Sequence, residues 1–212
     1  MKNIEKFNKK LLKKISIALL LAIILSGCAA STVVVPVVPV DFQKIDKIPI
    51  SVELLLTGEL QIAELFIQPD GFYRIPLGNA LSENAELLAR SIFKKVSVRS
   101  DEMPRSGQQI DAVLLPEIIS ATQTRPMLGL SKAVLLIVFQ WTLNDRNGNP
   151  IWVDTIKAKG ISSLVVGVSV KKGTKRRVQK VINDLFTKSF EAMSTSREIR
   201  KFASDHSAGD VL

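Results

Sequence analysis

The side chains that could carry out chemistry are few and widely separated. The chain has a single cysteine, Cys28, and a single histidine, His206. Ser-His-Asp and Cys-His catalysis both need a histidine held beside the nucleophile, whereas His206 lies in a polar C-terminal stretch. The spacings of HExxH, CxxC, an EF-hand loop or a P-loop do not occur. The sequence therefore predicts no catalytic residues, no metal site and no bound cofactor.

The acidic residues have simpler explanations than acid-base catalysis. Asp101 and Glu102 lie in a polar loop, and Glu83 and Glu86 lie near the start of a predicted helix, where negative charge is favourable. Residues 145–149 resemble part of a calcium loop, but the remaining ligands and the closing glutamate are missing. We expect a hairpin turn there, and we expect that the protein is not an enzyme.

The N-terminal segment gives Cys28 a different chemistry. Residues 1–14 carry six lysines and one glutamate, and residues 15–25 form an apolar run. A basic segment, an apolar segment of roughly 7–15 residues and a small-residue cleavage site make a secretory signal peptide. The alternative is a signal anchor or membrane-spanning helix, which needs about 20 apolar residues. The pattern predicts a signal peptide over residues 1–27, cleaved before Cys28.

Leu25-Ser26-Gly27-Cys28 resembles the lipobox of bacterial lipoproteins. The resemblance implies that Leu25, Ser26 and Gly27 are recognised by the signal peptidase and that the Cys28 thiol receives a covalent diacylglycerol; an unmodified cysteine is the alternative. Several acyl chains, such as palmitate, on one residue anchor a protein stably, whereas one chain gives weak binding. By the sorting rule of enterobacterial lipoproteins, Ala29 implies the periplasmic face of the outer membrane rather than retention at the inner membrane.

The charge of the chain is concentrated in the predicted signal peptide. The formal net charge is +9, and it falls to about +4 once the basic residues 1–14 are removed. A mildly basic chain lacks the charge expected of a nucleic-acid-binding protein. With Cys28 acylated, no thiol remains for a disulfide or a cysteine-based metal site. Residues 28–212 are enough for one domain with its own core.

Residues 28–47 are rich in valine and proline and predict an extended tether. Pro36 and Pro39 favour extended, polyproline-like backbone. Because Val33–Val35 and Val37–Val38 are apolar, an edge strand or contact with lipid is the alternative.

Residues 48–193 carry the alternation and periodicity of strands and helices, and residues 194–212 predict a flexible tail. Strands are predicted at 48–56, 60–67, 72–77, 111–119, 132–143 and 151–159, helices at 79–96 and 174–193, and loops at 99–109 and 120–131. Residues 161–173 could be a strand or a loop. This order predicts an α+β fold, a two-layer α/β sandwich in which an antiparallel or mixed sheet of four or five strands packs against two helices.

Three local patterns support this assignment. The first helix has one apolar stripe, Leu81, Ala85, Leu88 and Ile92, with Asn79 or Ser82 as its cap. Residues 132–143 alternate as a central strand, and Asn147-Gly148 is the hairpin signal that joins it to the next strand. Pro116 predicts an edge position or a bulge in the strand that contains it.

Six cations form the one dense charge cluster, at the start of the second helix. This basic cluster consists of Lys171, Lys172, Lys175, Arg176, Arg177 and Lys180. The helix dipole disfavours cations at this end, so the cluster predicts binding to anionic phosphates or to an acidic partner. The alternative is a solvated surface that keeps the domain soluble.

Four stretches resemble small bacterial lipoproteins, with a domain similar to the lipopolysaccharide-assembly lipoprotein or to the N-terminal domain of the translocation protein TolB. The stretches are Tyr73–Leu81, Phe93–Val96, Asp111–Leu114 and Asn147–Trp152. The resemblance covers roughly residues 48–193 and implies a plug, adaptor or accessory subunit of an envelope machine. The valine-rich tether departs from the lipopolysaccharide-assembly protein.

Two functions follow as expectations. The first is a non-enzymatic, lipid-anchored periplasmic subunit that binds another envelope protein through a sheet edge or the 120–131 loop. The second is a protein that binds lipid or lipopolysaccharide through the basic cluster and an apolar cleft. Neither expectation involves nucleic acid, and both leave the partner and the oligomeric state open.

Overall fold

The computed structural model of the chain describes residues 31–32, 34, 39–67, 73–101, 110–124, 133–162 and 170–207. The strands are β1 Ser31–Thr32, β2 Ile48–Leu56, β3 Glu64–Ile67, β4 Tyr73–Pro76, β5 Phe93–Ser100, β6 Ala112–Thr124, β7 Ala133–Asp145 and β8 Pro150–Ser162. The helices are α1 Gly58–Gln61, α2 Gly78–Ile92, α3 Val170–Thr195 and α4 Arg197–Ser207.

The main sheet has five strands in the order β5-β2-β6-β7-β8. β2 is parallel to both β5 and β6, whereas β7 is antiparallel to both β6 and β8. A smaller sheet has the order β1-β4-β3. The mixed sheet packed against helices confirms the predicted α+β class, with two short helices, α1 and α4, that the sequence did not predict.

The β7–β8 hairpin is the best-predicted part of the fold. Alternate β7 residues from Ala133 to Leu143 are buried, and those between them are half-buried. The carboxylate of Asp145 accepts hydrogen bonds from the backbone N–H groups of Asn147 and Asn149, both at 2.8 Å. Gly148 has a φ of 87°, which glycine adopts without strain. The calcium-like stretch is therefore the predicted hairpin turn.

Helix α2 ends earlier than the sequence predicts. Its predicted stripe is fully buried, but the chain becomes strand β5 at Phe93 instead of continuing to residue 96. Pairing of β5 with β2 places Val96 and Val98 beside Val52 and Leu54, and these contacts outweigh helix propensity in this segment. The cap prediction was wrong, because the N-cap residue is Leu77 and makes no side-chain capping bond.

The strand predicted over residues 60–67 is divided. Thr57 Oγ1 accepts a hydrogen bond from the Leu60 N–H at 3.3 Å and caps α1, and only Glu64–Ile67 is extended. A capped turn buries Leu60 as well as a strand would, so the apolar pattern alone does not separate the two.

Residues 194–207 are not the predicted flexible tail. Ser196 Oγ accepts from the Ile199 N–H at 3.2 Å and donates to Glu198 at 2.8 Å, which caps α4. Ile199 and Ala203 are buried and Phe202 packs against the core. These three apolar residues span only about one helical turn and have charged neighbours, so the sequence shows little helical periodicity here. Residues 208–212 lie outside the described part.

Residues 39–47 lie on the domain rather than in a free tether. The Val40 N–H donates to Asn84 Oδ1 at 3.0 Å, and Phe42 stacks on Phe190 with ring centroids 5.4 Å apart. Ile45 also packs against the core. These contacts are made with residues far away in the chain. The composition of the segment therefore does not predict that its apolar side chains pack on the domain. Val33, Val35 and Pro36–Val38 lie outside the described residues.

The core lies between one face of the main sheet and α2, α3 and α4. Trp141 is fully buried, and its indole N–H donates to Ser189 Oγ on α3 at 2.8 Å. Pro116 lies in β6 beyond Leu114, the last residue of β6 that pairs with β2, so the predicted edge position is confirmed. Within the described ranges, no helix has the length and apolar character needed to cross a membrane.

Candidate functional site

Several residues predicted to be functional lie outside the described part of the chain. They include Leu25, Ser26, Gly27 and Cys28, so lipidation stays a prediction. The loop predicted over residues 120–131 is described only to Thr124, where β6 still continues. The stretch 161–173 was predicted as either a strand or a loop. Residues 161 and 162 belong to β8 and α3 begins at Val170, so only residues 163–169 of it lie outside the described part of the chain.

The basic cluster occupies the N-terminal turns of α3, which has no acidic residue in its first turn. Lys172, Arg176 and Lys180 are exposed and Lys175 is half-buried, while the side chain of Lys171 lies outside the described part. The cations of this cluster therefore do not share one solvent-facing surface.

Arg177 differs from the rest of the basic cluster because it is only 4% exposed. Its Nη2 donates to Thr174 Oγ1 at 2.9 Å, and its Nε–H is buried without a hydrogen-bond acceptor. Burial lowers the pKa of Arg177 below its usual value, because a low-dielectric environment disfavours the charged form.

Helix α3 also covers the outer edge of β8. The Lys159 backbone N–H donates to Asp184 Oδ2 at 2.7 Å, and Lys188 Nζ donates to the Lys157 carbonyl at 3.0 Å. Lys188 and Asp184 also form an ion pair at 2.8 Å. Since side chains satisfy these backbone groups, this edge is poorly suited to receive a further strand.

A groove of about 510 Å³ opens beside Thr57, where strand β2 ends. Three carboxylate residues, Glu59, Glu64 and Glu117, line it, and we call it the Glu-lined groove. The β6 register shifts between Ile118 and Ser120, and this bulge leaves Ile119 55% exposed. No sequence pattern predicts this groove, because its residues come from separate elements.

One exposed apolar side chain belongs to the Glu-lined groove, and a second lies between two of its lining residues in the sequence. Ile119 lines its wall, and Ile62, which follows α1, is 76% exposed. A single exposed isoleucine is common on a protein surface, but one in the wall of a groove can be covered by a partner.

A second groove, of about 570 Å³, lies beside the start of β2 and the end of α2. Arg90, Lys94 and Lys95 give it a positive lining. Arg90 pairs with Glu86 one turn earlier at 2.8 Å. Lys94 and Lys95 lie on β5, the opposite edge of the sheet from β8, where exposed lysines discourage edge-to-edge association.

Two of the four carboxylates considered for catalysis have structural partners, and Glu102 lies outside the described residues. Asp101 accepts a hydrogen bond from the Gly58 N–H at 3.0 Å, and Glu86 pairs with Arg90. A buried pair joins Glu53 on β2 to Arg99 on β5 at 2.6 Å. Among the described residues, no group of three or more His, Cys, Asp or Glu side chains is arranged to hold a metal ion.

Comparison with known proteins gives structural similarity only. No protein-family model and no curated protein matches the sequence. A crystal structure of a Xanthomonas campestris protein assigned to the family DUF330 superposes with a TM-score of 0.51 at 9% identity, covering 85% of this chain and 99% of that one.

Two further solved structures match more weakly. A minor lipoprotein from Acinetobacter baumannii gives a TM-score of 0.43 at 17% identity, with 69% of this chain and 92% of that one covered. A PelC dodecamer from Paraburkholderia phytofirmans gives 0.31 at 17% identity, with 68% and 92% covered. These two superpositions are too weak to support an argument. The chain is similar in fold to the Xanthomonas protein, and its function must be argued from its own residues.

Proposed function

We propose that this chain is a lipid-anchored, non-enzymatic accessory subunit of a bacterial envelope assembly or transport machine. Acylated Cys28 would hold it at the periplasmic face of the outer membrane, and the α/β domain would bind a protein partner. The support for the anchor is the basic segment, the apolar run and the Leu-Ser-Gly-Cys sequence that follow one another at residues 1–28.

The Glu-lined groove is the observation that carries the docking part of the proposal. It combines three carboxylates with the exposed apolar side chain of Ile119. Apolar anchors surrounded by charged residues are typical of a protein interface. The charge of the groove favours a partner segment that brings lysine or arginine beside its own apolar side chains.

Strand addition at β8 is a poorer docking mode for this domain. Asp184 and Lys188 of α3 already bind the backbone groups of Lys159 and Lys157 on that edge. The contacts of this edge therefore favour docking at the Glu-lined groove beside the β6 bulge over strand addition at β8.

Crosslinking and co-purification of the tagged full chain from separated inner and outer membranes test this proposal. We expect a discrete partner in the outer-membrane fraction, which is lost in the anchor variant Cys28→Ser. Ile119→Lys should reduce recovery of the partner at least about tenfold, since a charge replaces an apolar side chain that the partner would cover. Val153→Lys is the matched control, because Val153 is 50% exposed but lies on β8, away from the groove.

Three results would overturn the proposal. Recovery of the wild-type chain in the soluble fraction would contradict acylation of Cys28. Equal loss of the partner in Ile119→Lys and Val153→Lys would remove the groove from the docking surface. Co-purification of phospholipid or lipopolysaccharide without any protein would favour the second candidate function.

That second candidate is lipid binding through the exposed part of the basic cluster. Charge reversal at Arg176 and Lys180, which are both exposed, should abolish binding to anionic vesicles and leave protein complexes intact. Reversal at Arg177 is unsuitable for this purpose, because a buried carboxylate would perturb the fold.

A further inference from the structure

The groove of about 570 Å³ beside β2 and the end of α2 is lined by cations, and we call it the positive groove. Arg90, Lys94 and Lys95 line it, together with other residues of β2 and β5 and with Ile110. No acidic residue of the described chain belongs to its lining. The wall of the groove therefore carries positive charge that no carboxylate within it neutralises.

The two lysines are the free charges of the positive groove. Arg90 gives both Nε and Nη2 to Glu86 Oε1, each at 2.8 Å. Lys94 and Lys95 are exposed, and neither forms an ion pair in the described part of the chain. Lysine is a point charge that attracts any anion, so the shape of the site must decide which kind of anion fits.

The positive groove follows a strand at the edge of the sheet. Among the described strands, β5 pairs only with β2. Residues 94–97 of β5 all line the groove, which gives it a length of about 10 Å along the strand. An extended peptide can pair its backbone with an open strand, whereas a phosphate group has no use for these backbone groups. The shape of the site therefore favours a peptide segment.

The edge at β5 is more open than the edge at β8. On β8, Asp184 and Lys188 bind backbone groups at 2.7 and 3.0 Å. On β5, the Val96 carbonyl accepts from Arg90 Nη1 at 3.4 Å, which is long for a hydrogen bond. A partner strand can replace this weak contact at little cost.

Lys94 and Lys95 determine the charge of the segment that fits. A second copy of β5 would bring its own lysines to the same edge, and like charges would repel it. Consecutive side chains of a strand point to opposite faces, so two adjacent acidic residues are needed to reach both lysines. Val96 and Ile110, which are half-buried in the lining, favour apolar residues beside the acidic pair.

We propose that the positive groove binds an extended, acidic segment of a partner protein. Two adjacent acidic residues of the segment contact Lys94 and Lys95, and its backbone adds to the edge of β5. The Glu-lined groove favours a segment of the opposite charge, so this site does not depend on docking there.

Calorimetric titration of the detergent-purified full chain with synthetic peptides tests the site. The probe is Val-Glu-Glu-Val-Thr-Val with blocked ends, and Val-Gln-Gln-Val-Thr-Val is its uncharged counterpart. The glutamate peptide should bind at least about tenfold more tightly than the glutamine peptide. N-methylation of its amides keeps the charge but removes the backbone donors, and should weaken binding at least about tenfold.

A double variant, Lys94→Glu with Lys95→Glu, should bind the glutamate peptide at least about tenfold more weakly, since two attractions become repulsions. Lys157→Glu with Lys159→Glu is the matched control, because it makes the same change of net charge at two exposed positions on β8. The control should weaken binding less than about threefold, since salt screens distant charges.

The reversed peptide Val-Lys-Lys-Val-Thr-Val separates this site from the Glu-lined groove. Both double variants keep the three glutamates of that groove, so binding of the lysine peptide there is the same in each. We expect the lysine peptide to bind the variant with Lys94→Glu and Lys95→Glu more tightly than the β8 control.

Four results would overturn the proposal. The glutamate peptide could show no saturable binding up to about 1 mM, or bind no better than the glutamine peptide. The two double variants could bind it equally, or N-methylation could leave its affinity unchanged, which would exclude strand addition. Vesicles of phosphatidic acid that bind in place of the peptide, and lose binding in the Lys94→Glu and Lys95→Glu variant, would assign the groove to an anionic lipid surface instead.

Discussion

Asp111 joins three parts of the domain through one carboxylate. Its Oδ2 accepts from the Ser51 N–H of β2 at 2.7 Å, and its Oδ1 accepts from Arg146 of the hairpin turn at 2.8 Å. Burial alone would raise the pKa of Asp111, but these hydrogen bonds, the charge of Arg146 and a smaller effect of His206 lower it below the usual 3.8. Strand β2 and the hairpin turn are therefore both held by one ionised group.

This lowered pKa predicts a dependence of stability on pH. A carboxyl whose pKa is lower in the folded state stabilises the protein above its unfolded pKa, and this contribution is lost as the pH falls through the folded pKa. Asp111→Asn should therefore lower the free energy of unfolding by about 1–3 kcal/mol at neutral pH. Below about pH 4, the free energy of unfolding of this variant should decrease less steeply with falling pH than that of the wild type.

Urea unfolding over a series of acidic to neutral pH values measures this effect. Asp205→Asn is the control, because Asp205 is exposed on α4, and it should keep the wild-type pH dependence. An Asp111→Asn variant with the same acid-side slope as the wild type would show that the carboxylate does not connect these elements.

The residues of the basic cluster show what sequence spacing leaves undecided. The sequence predicts one charged surface at the start of α3, but the structure buries Arg177 and leaves Arg176 exposed. Neighbouring residues on a helix point about 100° apart, so a dense run of cations must divide between the sheet-facing side and the solvent side. Which cation becomes buried depends on where the helix meets the sheet.

The α3–β8 contact shows the same dependence at the scale of elements. A side chain at Gly160 would clash with the backbone of α3, whereas one at Gly173 would meet open space. We expect Gly160→Ala to destabilise the domain by about 1–3 kcal/mol. Gly173→Ala should stabilise it by about 0.5–1 kcal/mol, because alanine is a better helix former than glycine.

Denaturant unfolding of the two alanine variants tests this packing. The pair is matched, since each adds one methyl group to the same two-element unit. A Gly160→Ala variant as stable as the wild type would mean that α3 does not pack closely on β8.

The boundary between α2 and β5 shows a second limit of sequence patterns. The apolar stripe of α2 predicted its buried face correctly, but Lys94 and Lys95 are good helix formers and extended the predicted helix. Parallel pairing with β2 decides the end of the helix, and β2 lies more than thirty residues earlier in the chain.

The extent of the domain is a property of the whole molecule. Ile199 and Ala203 of α4 contribute to the same core as β2, so the folded unit reaches beyond the predicted end at residue 193. A chain that stops after Thr195 should lose at least about 2–5 kcal/mol of stability, the usual cost of removing one large core side chain such as Ile199.

Comparison of two truncated chains measures this boundary. A stop codon after Ser207 removes only residues 208–212. It should change the free energy of unfolding by less than about 0.5 kcal/mol. If the chain ending at Thr195 is equally stable, then α4 does not belong to the folded core.

The sequence by itself determined the signals that are local. These include the basic and apolar segments before Cys28, the alternation of β2 and β7, the Asn147-Gly148 turn, and the stripes that give two helices and an α+β class. Each depends on residues a few positions apart, where periodicity and turn preference act directly.

Only the tertiary structure decided the features that join distant segments. The packing of residues 39–47, the docking of α4, the Glu-lined groove beside the β6 bulge and the burial of Arg177 all need contacts between elements far apart in the chain. Their physical basis is burial and hydrogen bonding across elements, and these override the weak local preference of each segment. For this reason the predicted fold class was confirmed, while both candidate binding surfaces took their shape from the assembled domain.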